Sequence, residues 1–328
     1  MQSLERWLSQ QWRGVAFSLA PASEDASFRR YFRATLDDGR SFVAMDAPPD
    51  KEDCRPFVHV ARLLREAGVN APEIHAQDLE QGFLLLTDLG RRTYLDEMQR
   101  ADPAPLFVDA IDTLIRWQLA TRAGKLPCYD EALLRREMEL FPEWYLGRHL
   151  GLEPEPARRA RLDDIFAPLV RSALAQSVVY VHRDYMPRNL MVCEPNPGVL
   201  DFQDAVLGPI TYDIVSLMRD AFVSWEEDRV IDCAVRYWEK AKLAKLPVNA
   251  DFGDFYREFE WMGLQRHLKV LGIFARLTHR DGKPKYLADT PRFLRYAREV
   301  ATRYRELVPL ARLLDEIEGR VPKAGYSF

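Results

Sequence analysis

The chain has 328 residues, 47% of them hydrophobic, which is enough to bury a large core in one domain or two lobes. Its formal net charge of −4 gives no overall field that would attract nucleic acid or an anionic membrane. The four cysteines form no C-x-x-C pair, which favours free thiols in a reducing compartment. The sequence shows neither a signal-peptide core nor an apolar run of about 18 residues, so we expect a soluble, cytoplasmic protein with no obligate protein partner.

The first part of the chain predicts a small, β-rich region. A turn at Asp37, Asp38 and Gly39 separates two segments that read as a β-hairpin. The predicted elements are a helix at 4–8, a strand at 15–19, the hairpin strands at 26–35 and 40–47, a helix at 57–67 and a strand at 82–86.

From Tyr94 onward the apolar periodicity becomes helical. Helices are predicted at 107–118, 132–150, 158–175 and 255–277. We therefore divide the chain into an N-terminal lobe, residues 1–89, and a mainly helical C-terminal lobe, residues 90–328.

The most informative stretch runs from residue 178 to residue 204. An apolar run leads to His182, Arg183 and Asp184, and Asn189 follows five residues after the aspartate. Two short strands joined by a Pro/Gly turn come next, and the second ends on Asp201. This order predicts that the three oxygen side chains of Asp184, Asn189 and Asp201 meet at one end of a small hairpin.

Those residue types suit phosphoryl transfer. The reaction needs a carboxylate that accepts or orients the attacking hydroxyl, and hard oxygen ligands that hold Mg²⁺ on the nucleotide phosphates. Asp184 fits the catalytic task, and Asn189 and Asp201 fit the metal task. The alternative is a buried hairpin with incidental acidic residues.

The H-R-D-x-x-x-x-N loop and the D-F-Q motif resemble those of the aminoglycoside phosphotransferase family, the small-molecule branch of the kinase-like fold. The resemblance implies an α+β, bilobal protein-kinase-like fold with a β-rich, nucleotide-binding N-lobe and a helical C-lobe. It also implies that ATP and Mg²⁺ are used. His182 and Arg183 would support the catalytic loop, and Asp213 would buttress its backbone.

The same resemblance implies a nucleotide site in the N-lobe. Phosphates would approach the backbone before the second strand, and the adenine edge would meet an inter-lobe hinge. The implied residues are Ser27, Phe28, Arg29 and Arg30 for the phosphates, and Leu86, Thr87, Asp88 and Leu89 for the hinge.

One position departs from the family pattern. Met45 stands where the third strand should carry a lysine for the α- and β-phosphates, and the following helix has Phe57 and His59 where a glutamate is expected. Either an arginine (Arg29, Arg30 or Arg33) holds the phosphates, or the protein is a catalytically silent nucleotide binder. The arginines can also belong to a solvated strand face.

Substrate choice is expected to lie in the helix at 255–277. Gln265, Lys269, Gly272 and Arg276 form a stripe at i, i+4, i+7 and i+11, where the glycine leaves room for a ligand or for a close helix. Between residues 266 and 285 there are six Lys or Arg and one acid, which favours an anionic partner unless the face is simply solvated.

Two segments, 136–146 and 261–277, resemble the amino-sugar branch of the family. This implies ATP-dependent phosphorylation of the anomeric C1 hydroxyl of N-acetylmuramate and N-acetylglucosamine in cell-wall recycling. An aminoglycoside or a choline-like alcohol remains the alternative substrate. The implied sugar-binding residues are Glu139, Trp261, Gln265, Arg266, Lys269 and Arg276.

Overall fold

The computed structural model describes residues 1–23, 28–152 and 155–319. They form two compact units: Met1–Ala120 with Pro187–Ala205, and Thr121–Met186 with the chain from Val206 on. The functional boundary near residue 90 stays a prediction, since the compact units divide the chain at other points. Within the described ranges, no helix is both long enough and apolar enough to span a bilayer.

The first unit contains a five-stranded antiparallel sheet with strand order β1-β2-β3-β5-β4. Its elements are α1 (Gln2–Gln11), β1 (Phe17–Ser23), β2 (Arg30–Leu36), β3 (Ser41–Asp46), α2 (Arg55–Glu66), β4 (Ile74–Asp78), β5 (Phe83–Thr87), α3 (Tyr94–Met98), α4 (Ala104–Leu119), a 3₁₀ turn (Pro187–Asn189), β7 (Leu190–Met191) and β8 (Gly198–Val199).

The predicted hairpin is present as β2 and β3. The Leu36 N–H donates to the Arg40 carbonyl (2.9 Å), and Gly39 has φ +86°, a left-handed conformation that glycine adopts without strain. Leu4, Trp7 and Leu8 of α1 belong to the same buried cluster as Phe32, Ala44, Phe83 and Leu85 of the sheet. The amphipathic face of α1 therefore covers one side of the sheet.

The second unit is mainly helical. Its elements are α5 (Glu131–Met138), a π-helix (Phe141–His149), α6 (Pro156–Ala175), β6 (Val178–Val181), β9 (Val206–Pro209), α7 (Tyr212–Met218), α8 (Glu227–Leu243), α9 (Phe252–His279), α10 (Thr290–Arg303) and α11 (Val308–Ile317), with 3₁₀ turns at Pro284–Asp289 and Arg305–Leu307. β6 pairs antiparallel with β9, and α9 buries 17 of its 28 residues, which makes it the central helix of this unit.

The prediction of one continuous helix over 132–150 is wrong. α5 ends at Met138 and a π-helix follows, in which the Leu150 N–H bonds to the Tyr145 carbonyl five residues back (3.1 Å). Pro142 lies in the first turn of that π-helix and has no N–H with which to continue an α-helical pattern.

Gly272 of α9 lies against this break in the helix. A Cβ at Gly272 would clash with the backbone of Leu140. Two roles were predicted for this glycine, room for a ligand or room for a close helix. The structure shows the second, because the helical segment at Leu140 approaches it closely.

Candidate active site

The first unit contains a cavity of about 430 Å³ that can hold a nucleoside-sized ligand. All four predicted hinge residues, from Leu86 to Leu89, line it. Val43 of β3 contributes to the wall, and Asn189 and Asp201 of the predicted metal motif line the same cavity. The four predicted hinge residues and the two predicted metal ligands thus line one cavity.

Asp88 is fixed at the rim of this cavity by several donors. Arg33 donates to it through Nε (2.6 Å) and Nη2 (3.0 Å), the Ser41 hydroxyl donates at 2.8 Å, and the Gly90 N–H donates at 3.0 Å. Burial opposes ionisation of Asp88, but the hydrogen bonds from Arg33 and Ser41 outweigh it and lower the pKa. Asp88 is therefore an anion that holds the hinge to β2 and β3.

The short hairpin of β7 and β8 brings the two predicted metal ligands together. The Asn189 amide donates to the Asp201 carboxylate at 3.3 Å, and the Gln203 amide donates to its other oxygen at 2.9 Å. The Leu200 N–H bonds to the Asn189 carbonyl at 2.9 Å. Asp201 has φ +61°, an unusual value for an aspartate and one that often accompanies functional residues.

In the second unit, the catalytic-loop segment is anchored by a buried carboxylate. Asp213, at the start of α7, accepts the N–H of His182 at 2.7 Å and the N–H of Arg183 at 3.0 Å. Burial raises the pKa of Asp213 to about 7, against the opposing effect of these two hydrogen bonds. Arg183 has φ +76°, so the chain turns sharply immediately before Asp184.

His182 and Arg183 point into the protein. The His182 ring packs edge-on against Tyr185 with centroids 5.7 Å apart, and its Nδ1 accepts the Asp184 N–H at 3.2 Å. Arg183 forms an ion pair with Glu137, and the Arg183 carbonyl accepts from Arg266 Nη1 at 2.9 Å. The backbone just before Asp184 is thus held at its N–H groups by Asp213 and at the Arg183 carbonyl by Arg266.

Glu137 of α5 is the centre of a buried network. Lys269 Nζ lies 2.8 Å from its carboxylate, and Arg183 and the Tyr129 hydroxyl also donate to it. The Gln265 amide donates to the Tyr129 oxygen at 3.2 Å. Burial opposes ionisation of Glu137, but the charges of Lys269 and Arg183 prevail and lower its pKa to about 2.

Comparison with known proteins identifies the family of this chain. The profile of the phosphotransferase enzyme family matches residues 18–248. The chain belongs to this family. It is 59% identical to an N-acetylmuramate/N-acetylglucosamine kinase of Pseudomonas aeruginosa, over 94% of this chain and 92% of the relative. It is 55% identical to a kinase of the same name from Pseudomonas putida, over 97% and 96% of the two chains.

The fold of this phosphotransferase is also that of solved kinases. A choline kinase from Cryptosporidium parvum superposes with a TM-score of 0.63 at 11% identity, over 96% of this chain and 99% of that one. The predicted α+β, protein-kinase-like fold, with a β-rich N-lobe and a helical C-lobe, is confirmed. The resemblance to aminoglycoside phosphotransferases that the motifs indicated is confirmed as well.

The predicted phosphate-binding residues of this phosphotransferase have distinct surroundings. Ser27 lies outside the described residues. The Phe28 N–H donates to Glu52 at 3.3 Å, and Arg29 Nε lies 3.4 Å from the same carboxylate. Arg30 forms an ion pair with Asp46.

The predicted sugar-binding residues divide into three groups. Gln265, Lys269 and Arg266 belong to the buried network around Glu137 and Arg183. Glu139 forms a bidentate pair with Arg159, with both distances 2.6 Å, nearer the surface.

The other two sugar-binding candidates lie on α9, away from that network's hydrogen bonds. Trp261 packs edge-on against Tyr304, with centroids 5.8 Å apart. Arg276 is half-buried, and its Nε has no hydrogen-bond acceptor among the residues that the structure describes. Burial and the charge of Arg280 lower the pKa of Arg276.

Sequence analysis missed Glu137, Tyr129 and Tyr212. Lys269 donates to the Tyr212 hydroxyl at 3.2 Å, and Arg266 stacks over the Tyr212 ring at 4.7 Å. For Glu137 a signal was available. It lies three residues after the buried Leu134, on the buried face of α5, where an acidic side chain needs a cationic partner.

Proposed function

We propose that this phosphotransferase is an ATP- and Mg²⁺-dependent kinase that phosphorylates the C1 hydroxyl of N-acetylmuramate and N-acetylglucosamine, giving the α-1-phosphate in peptidoglycan recycling. The observation that carries this proposal is the 55–59% identity to kinases named for these sugars, which extends over nearly the whole chain. The segments that carry the catalytic loop and the central helix α9 both lie within it.

In this proposal Asp184 is the catalytic carboxylate. It hydrogen-bonds the anomeric hydroxyl and takes its proton as the sugar oxygen bonds to the γ-phosphorus and the bond from that phosphorus to the bridging β–γ oxygen breaks. ADP is the leaving group and keeps the electron pair of the broken bond, and the hydroxyl proton ends on the Asp184 carboxylate, which becomes neutral. The support is geometric, because Asp213 fixes the two peptide N–H groups that directly precede Asp184 in the chain.

Asn189 and Asp201 are the proposed Mg²⁺ ligands. One carboxylate and one amide oxygen form a hard donor set, and Mg²⁺ commonly combines one or two carboxylates with substrate phosphate oxygens. No group of three or more His, Cys, Asp or Glu suited to a metal occurs in the described parts of the chain, and phosphate oxygens and water would complete the coordination of Mg²⁺. When bound, Mg²⁺ would offset the negative charge of the β- and γ-phosphates.

The nucleotide is proposed to occupy the cavity of the first unit. Leu86 and Leu89 offer apolar surface to a purine, and backbone groups of the hinge offer hydrogen bonds to its edge. Asp88 is fully engaged by its donors, so its proposed role is to hold the hinge in shape.

Arg276 is the proposed partner of the lactyl carboxylate of N-acetylmuramate. Lys269 is neutralised by Glu137, and Arg266 donates to the Arg183 carbonyl, so both have protein acceptors. The Arg276 guanidinium retains a buried Nε donor for which no acceptor occurs in the described ranges. A carboxylate pairs well with such a guanidinium.

The direct test is turnover by the purified full-length protein with MgATP. ADP release should be seen with both sugars, and ³¹P NMR should show the phosphate coupled to the anomeric proton. The methyl glycoside of N-acetylglucosamine, whose C1 oxygen is blocked, should not react, whereas the 6-deoxy sugar should. Asp184→Asn should lower kcat by about 100-fold or more because it removes the proton acceptor.

Three results would contradict parts of the proposal. Full turnover by Asp184→Asn would refute the role of that residue. Turnover of an aminoglycoside or choline without turnover of the N-acetylated sugars would refute the substrate. ATP binding without phosphorylation of any sugar would favour a catalytically silent nucleotide-binding protein, the alternative that Met45 suggests.

A further inference from the structure

A nucleoside triphosphate brings several negative charges, which protein kinases balance with Mg²⁺ and a lysine on the third strand paired with a glutamate on the next helix. Neither residue is present at those places in this chain. Met45 on β3 is buried and apolar. Phe57 on α2 packs against Phe202 of the metal motif with ring centroids 4.7 Å apart, so that helix position serves ring packing.

Two of the three candidate arginines are committed elsewhere. Arg33 makes two hydrogen bonds to Asp88 and a third to the Gly90 carbonyl at 2.7 Å, which uses its guanidinium to hold the hinge. Arg30 forms an ion pair with Asp46, and its side chain is 56% exposed. A solvated arginine of this kind is a weak electrostatic partner for a ligand.

Arg29 differs from Arg30 in being largely buried, and from Arg33 in pairing with a carboxylate outside the hinge. Its side chain is only 12% exposed, and its Nε lies 3.4 Å from Glu52, whose side chain is 19% exposed. The other oxygen of Glu52 accepts the Phe28 N–H at 3.3 Å, so this carboxylate fixes both the backbone and the side chain of the segment that enters β2.

The electrostatic surroundings of Arg29 connect it to the metal motif. Burial opposes its charge, but Tyr31, Glu52, Asp201 and Asp204 outweigh that effect and raise the pKa of Arg29. Arg29 is therefore a permanent cation. Tyr31 and Arg33 of β2, two and four residues after Arg29, line the same cavity as Asp201, the proposed Mg²⁺ ligand. A phosphate chain that bridges Mg²⁺ and a protein cation requires such a neighbourhood.

We propose that Arg29, oriented by Glu52, binds the phosphates of the nucleotide and takes the place of the missing strand lysine. Glu52 takes the orienting task of the missing helix glutamate. The planar guanidinium can offer two parallel N–H groups to phosphate oxygens, which a lysine cannot. This inference rests on the proposed kinase function.

The test compares phosphate-dependent with phosphate-independent binding in the full-length protein. Dissociation constants for ATP and adenosine, and for GTP and guanosine, should be measured by calorimetry with Mg²⁺ present. Arg29→Met should weaken triphosphate binding about 10- to 100-fold, the range for a lost hydrogen bond to a charged group, and change nucleoside binding less than about twofold. Arg29→Lys should recover part of the loss, and Glu52→Gln should cost less than Arg29→Met.

Arg40→Met is the matched control, because it removes an arginine whose side chain is 64% exposed in the turn between β2 and β3, and it should leave triphosphate binding within about twofold of wild type. Circular dichroism of each variant identifies any that do not fold. If Arg29→Met does not fold, the triphosphate affinity of Arg29→Lys is compared with that of wild type instead. Equal triphosphate affinity in wild type and Arg29→Met, with sugar turnover intact, would overturn this inference and leave the proposed function standing. Loss of triphosphate binding in Arg29→Met, in a wild type that binds ATP but phosphorylates no sugar, would support Arg29 and refute the function.

Discussion

One group of buried charges in each unit can be compared, and the two groups are arranged differently. In the first unit each carboxylate has one cationic partner: Arg29 pairs with Glu52, and Arg33 pairs with Asp88 in the cavity wall. In the second unit a single carboxylate, that of Glu137, is shared by Lys269 and Arg183.

The difference indicates what each arrangement is suited for. An arginine that is oriented by a carboxylate, as Arg29 is by Glu52, can bind a phosphate oxygen while the carboxylate keeps it in place. A carboxylate shared by two cations fixes both of them, because its loss leaves two cations without their anion. The first arrangement suits ligand binding, and the second suits the fixing of a loop.

The largest expected effect comes from Glu137. Glu137→Gln keeps the shape of the side chain and removes the charge, which should lower the free energy of unfolding by about 3–5 kcal/mol, as for a buried ion pair that loses one partner. The measurement is urea unfolding at pH 7. Because Arg183 is one of the two cations, kcat should also fall while the affinity for ATP stays unchanged.

Glu139→Gln is the matched control two residues along the chain. The Glu139 side chain is 34% exposed and that of Glu137 is 7% exposed, so the loss of its pair with Arg159 should cost at most about 1 kcal/mol. Equal losses in the two variants would mean that a carboxylate shared by two buried cations contributes no more to stability than a single pair near the surface.

Acid should reproduce the effect of Glu137→Gln. The pKa of Glu137 is about 2 in the folded protein against an ordinary value of 4.5. Its contribution to stability is therefore complete above pH 4.5 and is lost as the pH falls toward 2. The difference in unfolding free energy between wild type and Glu137→Gln should shrink over that interval.

These residues also show which parts of the fold and of the site could be predicted from the sequence. The loop spacing predicted the hairpin that joins Asn189 and Asp201, because adjacent short strands determine each other's register locally. The partners of Arg29 and Glu137 could not be found in that way. Glu52 lies in a turn more than twenty residues from Arg29, and Lys269 follows Glu137 by more than one hundred residues, so no local pattern connects them.

The surroundings of Glu139 were also beyond prediction from the sequence. The prediction of one helix over 132–150 did not distinguish the surroundings of Glu139 from those of Glu137. The actual end of α5 at Met138 places Glu139 at the C-cap, outside the buried face. Pro142 is a local sequence signal for this change, because a proline interrupts the α-helical hydrogen bonds, whereas the close approach of Gly272 is a tertiary contact that helical periodicity does not report.

A smaller effect is expected at that break. Gly272→Ala should lower the free energy of unfolding by about 1–3 kcal/mol, because the new Cβ meets the rigid backbone of Leu140. Gly263→Ala, on the same helix, is the matched control, since its Cβ would meet the movable side chain of Val215 at 3.2 Å. Thermal unfolding of both variants measures the difference. A neutral Gly272→Ala would show that α9 and the π-helix separate more readily than the packing of the second unit implies.

The smallest expected effect lies at the hinge of the first unit. Ser41→Ala removes one of the donors to Asp88 and leaves the two from Arg33 in place, so the cost should be about 0.5–1.5 kcal/mol. ATP affinity should change by less than about twofold, because the ion pair that shapes the hinge remains. Ser18→Ala, exposed on β1, is the control and should be neutral. A loss as large as that of Glu137→Gln would mean that the contacts of Asp88 depend on one another as strongly as those of Glu137, and the contrast between a carboxylate with one cationic partner and a shared carboxylate would then fail at the hinge.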